Sequence, residues 1–87
     1  MRRDEMTEVM LAVLADAVVS MCEEVGRPVT RSAAGVAGLF DPDLQGVTVH
    51  GLWQGLDVLV GRGSLRMAWV RDGFVVWPRL AVFEAAA

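Results

Sequence analysis

The sequence predicts an α+β domain, mainly α: three helices followed by a C-terminal β-hairpin. Three observations carry that expectation. Apolar residues recur at three- and four-residue steps in separate stretches. Glycine, proline and aspartate interrupt the chain between those stretches. Asp72-Gly73 stands between two apolar runs, a strong short-range hairpin signal. The 87 residues suit one domain over 1–87, with no internal repeat or low-complexity linker.

The first helix is expected over 4–25. Met6, Met10, Leu14, Ala17, Val18, Met21 and Val25 form one stripe, opposite Glu5, Glu8, Asp16, Ser20 and Glu23. Asp4 is the candidate N-cap, and the early acids suit the positive end of the helix dipole. A second stripe, Leu11, Ala15, Val19 and Cys22, widens the apolar face beyond what one small domain is expected to cover. Gly26 and Pro28 stop the helix. Pro28-Val29-Thr30 reads as extended, with Thr30 capping a second helix over 31–40. Gly35 and Gly38 each cost that helix about 1 kcal/mol relative to alanine, which close packing of the next helix would offset. Asp41-Pro42-Asp43 is a turn. Thr48 opens a third helix, 48–61, with Leu52, Leu56 and Leu59 toward the core and Gly63 in the left-handed conformation after its end.

The hairpin is expected over 65–77. A two-residue Asp72-Gly73 turn puts Leu65, Met67, Trp69 and Val76 on one face, and Ala68, Val70, Val75 and Trp77 on the other. Both faces are apolar, and only one can cover the core. A three-residue loop would change the cross-strand partners. Residues 78–87 read equally as a short strand, a helical turn or a frayed tail.

Apolar residues make up 54% of the chain, so some of them are expected at the surface, where they serve an interface. The longest apolar run, Val9 to Ala15, is too short to span a bilayer, so no membrane association is expected. Arg2 and Arg3 are followed at once by acids, unlike a signal peptide. The single cysteine, Cys22, reads as a buried hydrophobe in a reducing, cytoplasmic compartment. The net charge of −3 is unevenly spread: residues 4–25 hold six acids and no base, whereas 62–79 hold four arginines against Asp72. All eight cationic side chains are arginine, which reflects either base composition or a use for guanidinium against phosphate and carboxylate.

The order helix, short strand, helix, turn, helix, hairpin resembles the winged helix-turn-helix superfamily over about residues 5–79. Leu56-x-x-Leu59-x-x-x-Gly63-Ser64-Leu65, followed by strand, Asp72-Gly73 and strand, looks like a recognition helix running into a wing. The resemblance implies a DNA-binding regulator, with the exposed third-helix positions His50, Gly51, Trp53, Gln54, Asp57 and Val58 facing the major groove. Arg66, Arg71 and Asp72 would lie on the wing.

Two functions follow. The first is a transcriptional regulator that binds double-stranded DNA as a homodimer, with Arg27, Arg31, His50, Trp53, Gln54, Arg62, Arg66 and Arg71 as candidate contacts. The third-helix face has no cation before Arg62, however, and Asp57 opposes phosphate. The second is a protein-interaction or dimerisation module without DNA binding, using Leu11, Ala15, Val19, Trp53, Val75 and Trp77, with Trp69 as a further anchor. Neither an enzyme nor a cofactor or metal site is expected. His50 and Cys22 do not make a zinc site, and Glu23 and Glu24 beside Cys22 would raise its thiol pKa.

Overall fold

A computed structural model describes residues 6–71 and 73–78. Helix α1 spans Glu8–Val25, strand β1 Val29–Thr30, helix α2 Arg31–Leu39 and helix α3 Val49–Gly61; strands β2 (Leu65–Val70) and β3 (Gly73–Pro78) form the hairpin. A 3₁₀ turn, Pro42–Leu44, replaces the simple turn expected between α2 and α3. The three strands form one antiparallel sheet in the order β1-β3-β2. The chain therefore has the α+β, mainly α, winged-helix layout, with β1 added to the expected hairpin as a third strand.

Each helix starts on a threonine. Thr7, Thr30 and Thr48 accept from the amides of Met10, Ala33 and Gly51 at 3.2, 3.1 and 3.0 Å, so each hydroxyl satisfies an otherwise orphaned first-turn donor. This corrects the start of α1. Thr7, not Asp4, is its cap, and the helix begins at Glu8. Asp4 and Glu5 lie outside the described residues. At the other end of α3, Gly63 adopts φ 79°. Its amide donates to Val60 O at 3.0 Å, and that of Ser64 to Leu59 O at 2.9 Å. This pair of bonds closes the helix and turns the chain into the wing.

The core joins all three layers. Leu11, Leu14, Val18 and Cys22 of α1 meet Leu52, Leu56 and Leu59 of α3, with Ala34, Leu44, Val47, Val29, Leu65 and Val76 around them. The buried line of α1 thus draws on both expected stripes. Leu11 and Cys22 are core, and Leu11 is not the free interface residue the sequence suggests. The cause is that α1 packs at once on α2, α3 and the sheet, which takes a wider apolar arc than one stripe provides. Ala15 and Val19 are half-buried, while Val25, expected on the inner stripe, is exposed.

Gly35 and Gly38 bring α2 against α3. A Cβ on Gly35 would stand 2.5 Å from Nε1 of Trp53, and one on Gly38 2.9 Å from Cδ2 of Leu52. Both glycines serve the close packing expected of them. Gly51, expected on the outer face of α3, is buried instead. It shares a helical stripe with Leu52, Gly55, Leu56 and Leu59, which widens the inner face of α3 by one column.

The hairpin register pairs Val70 with Gly73, leaving Arg71 and Asp72 between the strands rather than Asp72 and Gly73. Asp72 lies outside the described residues. Cross-strand partners shift by two: Met67 faces Val76, and Trp69 faces Phe74. A shift of two keeps every side chain on its expected face. Leu65 and Val76 are buried, and Val76 is covered on both sides because β3 is the central strand. The alternatives for residues 79–87 lie outside the described residues.

Packing at the two helix glycines predicts opposite outcomes for alanine. Gly35→Ala should cost a net ~1–2 kcal/mol in chemical denaturation, because overpacking against a rigid indole outweighs the gain in helix propensity. Gly61→Ala, where a Cβ meets nothing within 4 Å, should instead be neutral or stabilising. Equal effects at the two sites would refute the close-approach account.

Candidate interaction surface

The outer face of α3 carries His50, Gln54, Asp57 and Val58, all exposed as expected. The side-chain amide of Gln54 donates to Nε2 of His50 at 3.1 Å, one helical turn away. Trp53 is different. Its ring is half-buried over Gly35, and its indole Nε1 is fully buried with no hydrogen-bond partner. The guanidinium of Arg31 lies over the same ring, 5.6 Å from the centroid. Trp53 therefore serves the α2–α3 seam, and only part of the ring faces solvent.

Two of the candidate phosphate-binding arginines are engaged within the chain. Arg31 donates to Oδ2 of Asp57 at 2.9 Å and to the Trp53 carbonyl at 3.5 Å. Arg62 makes a bidentate pair with Glu8, at 2.6 and 2.7 Å. This clamp ties the C-terminal end of α3 to the first turn of α1. Arg62 hydrogen bonds, reinforced by its charge, hold the Glu8 carboxyl below the usual glutamate range, and Glu8 in turn raises Arg62. Arg27, Arg66 and Arg71 are exposed and have no acid partner among the described residues. The expected set of eight DNA contacts thus does not form one free cationic face: His50 and Gln54 stay open on α3, Arg66 and Arg71 stay open on the wing, and Arg31 and Arg62 are neutralised by acids.

The exposed apolar residues lie elsewhere than the sequence places them. Val75 and Trp77, expected at an interface, are half-buried, and Trp77 packs on the core. Trp69 is 71% exposed although it shares a sheet face with buried Leu65 and Val76. Its ring meets that of Phe74 edge to face, with centroids 4.5 Å apart. Toward the tip, the hairpin outruns the core, and its inner face becomes surface. Exposed Val70 adjoins this pair in sequence. Phe40, 82% exposed, stands at the end of α2 beside exposed Leu39, and Val36 is exposed one turn earlier. Sequence reasoning names Trp69 but misses Phe74 and Phe40. The signal for Phe74 is its distance from the base of the hairpin; Phe40 carries none, because as the last residue of a short apolar helix it looks like core.

Cys22 is buried, with its thiol 3.6 Å from the Val76 carbonyl. Burial, rather than the neighbouring acids, raises its pKa. No group of three or more His, Cys, Asp or Glu side chains among the described residues is placed to hold a metal ion. No described helix is long and apolar enough to cross a membrane. Compared with protein-family models, curated proteins and solved structures, the chain matches none.

The clamp between Glu8 and Arg62 has a pH signature. A depressed carboxyl pKa in the folded state contributes stability above the unfolded glutamate value, and that contribution is lost as pH falls through the folded value. Carboxyl NMR titration should place the Glu8 midpoint below the ordinary glutamate range, and Arg62→Gln should return it there. An unshifted Glu8 midpoint in the unaltered chain would show that the pair does not persist in solution.

Proposed function

We propose that this chain is a winged-helix protein-interaction module whose wing face forms the contact, with a second copy of the chain as its partner. The observation that carries this reading is the exposed Trp69–Phe74 pair. Large aromatic side chains held rigid against one another are the residue type that anchors protein interfaces, and they cost little side-chain entropy on binding. Among the described residues β2 is an edge strand, and it carries Trp69 of the pair, so part of its backbone offers itself for pairing.

Charge supports a second copy. The outer side of α1 presents Asp16, Glu23 and Glu24, exposed and without a basic partner among the described residues. The wing presents Arg66 and Arg71. One molecule thus offers an acidic surface and a basic, aromatic surface, which a two-fold pair can match reciprocally. The same distribution weakens the case for duplex DNA. Neutralising phosphates takes several unpaired cations on one face, and Arg31 and Arg62 already have acid partners.

DNA binding is the second reading, and one observation favours it. His50 and Gln54 are both exposed on α3, the counterpart of the helix that reads base edges in the winged helix-turn-helix proteins the sequence resembles. The two readings part in solution. Sedimentation equilibrium of the full chain should show concentration-dependent dimerisation, weakened at least ~30-fold by Trp69→Ala, as for an interface hot spot, with unchanged helical circular dichroism. A monomer at millimolar concentration would overturn the first reading. Saturable binding to a mixed-sequence duplex that falls by several phosphates' worth with added salt would establish the second.

A further inference from the structure

The two edges of the sheet differ. Strand β1 is two residues long and follows Pro28, so little of its outer side can take another strand. Strand β2, Leu65–Val70, is the other edge among the described residues. It contains no proline or glycine and runs against β3 without a bulge. Its one charge, Arg66, lies on the sheet face opposite Leu65 and Val76. It therefore lacks the devices that keep an edge from pairing. The phase of the hairpin determines which backbone groups are open. Opposed residues of an antiparallel pair alternate between exchanging hydrogen bonds and not. Val70 and Gly73 close a two-residue loop and form a bonded pair. Counting back, Ala68–Val75 and Arg66–Trp77 are bonded pairs, and Leu65–Pro78 is not, which suits a proline without an N–H. The N–H and C=O groups of Leu65, Met67 and Trp69 thus point away from β3. Among the described residues, no backbone group outside the sheet bonds them.

We propose that β2 pairs antiparallel with β2 of a second copy, about a two-fold axis at Met67, so that one continuous sheet runs through both molecules. The inference rests on the wing-face reading and specifies how the two copies join. Two constraints select the register. A pair centred on Arg66 sets like charges directly opposite each other. A pair centred on Met67 engages all three outward residues of each strand, whereas one centred on Ala68 loses Leu65. Centred on Met67, Trp69 of each copy lies across from Leu65 of the other, and Arg66 across from Ala68. Trp69, 71% exposed, marks where the strand outruns its own core; Leu65, 2% exposed, marks where α3 backs it. The join therefore brings each uncovered ring beside the covered base of the other copy. The approach to that base is open, since a Cβ on Gly61 or Gly63 would meet nothing within 4 Å. A second copy is the occupant because the strand is complementary to itself: exposed end to covered end, open backbone groups to open backbone groups, arginine to alanine.

The test uses NMR of the full chain above and below the concentration at which it dimerises. In a dimer mixed from isotope-labelled and unlabelled chains, intermolecular NOEs should join Hα of Arg66 to Hα of Ala68, and the Trp69 ring to the Leu65 methyls. The amides of Met67 and Trp69 should be protected from hydrogen exchange in the dimer alone. Met67→Pro removes an outward donor from each copy and leaves the bonds to β3 in place, so it should weaken dimerisation at least ~10-fold in sedimentation. The NOEs and the exchange are read on the unaltered chain, so they decide the matter even if that variant does not fold. A dimer without these NOEs, or a folded Met67→Pro variant that dimerises as tightly as the parent, overturns the edge pairing and leaves the wing-face reading standing. Protection of Met67 and Trp69 that does not depend on concentration also overturns it, because β2 is then paired within its own chain. A monomer at millimolar concentration overturns both.

Discussion

At Gly35 the backbone of α2 comes so near α3 that a single added carbon would collide with the indole of Trp53. Much of the surface depends on that approach. It seats Trp53 beneath α2, which removes most of the largest side chain of α3 from the face where the helix would meet a partner. It also brings Arg31, at the start of α2, over the ring and within reach of Asp57 one turn further along α3. The indole N–H is left buried without a partner, a cost of the order of ~1–3 kcal/mol. Tight packing of two helices at glycine, and the contacts of the ring itself, must outweigh that cost. The seam is therefore stabilised by shape and dispersion more than by hydrogen bonding.

The same economy governs the charges. The chain has eight arginines and eleven acids, and the structure spends arginines on acids where helices meet. Arg31 with Asp57 joins α2 to α3, and Arg62 with Glu8 joins α3 to α1. Both pairs are partly exposed to water, so each contributes modestly to stability. Their larger consequence is electrostatic. A guanidinium held by a carboxylate presents little net field to an approaching phosphate, so the two pairs lower the cationic potential around α3. Among the described residues, the unpaired positive charge is left on Arg27 and on the wing.

The helices were legible because their signals are local. Thr30 and Thr48 sit where a cap is needed, glycines follow where a helix must end, and leucines on α3 recur at the right spacing. The start of α1 was not legible, since Asp4 and Thr7 are both good caps and only tertiary packing decides between them. The double stripe on α1 suggested a free face. That inference failed for Leu11 because a sequence window cannot show that one helix packs at once on two other helices and the sheet. The buried Gly51 has the same origin: glycine has no side chain to mark a face. Partnerships across more than fifty residues, such as Glu8 with Arg62, leave no trace in the sequence at all. That pair, and the nearer one of Arg31 with Asp57, turn two candidate DNA contacts into internal clamps.

The hairpin shows why the candidate surface was only half visible. Its alternation was read correctly, and the two-residue shift in register preserved every face. What alternation cannot convey is how far the core extends along a strand. Leu65, Met67 and Trp69 point the same way, yet Leu65 is buried, Met67 half-buried and Trp69 exposed. The change follows position alone, because the body of the domain ends before the hairpin does. A sequence that merely needed a soluble wing would switch to polar residues at that point. This one keeps tryptophan and phenylalanine there and packs them edge to face. Their mutual contact fixes the rings without hiding them, which is the arrangement that favours an anchor for a partner over a remnant of the core.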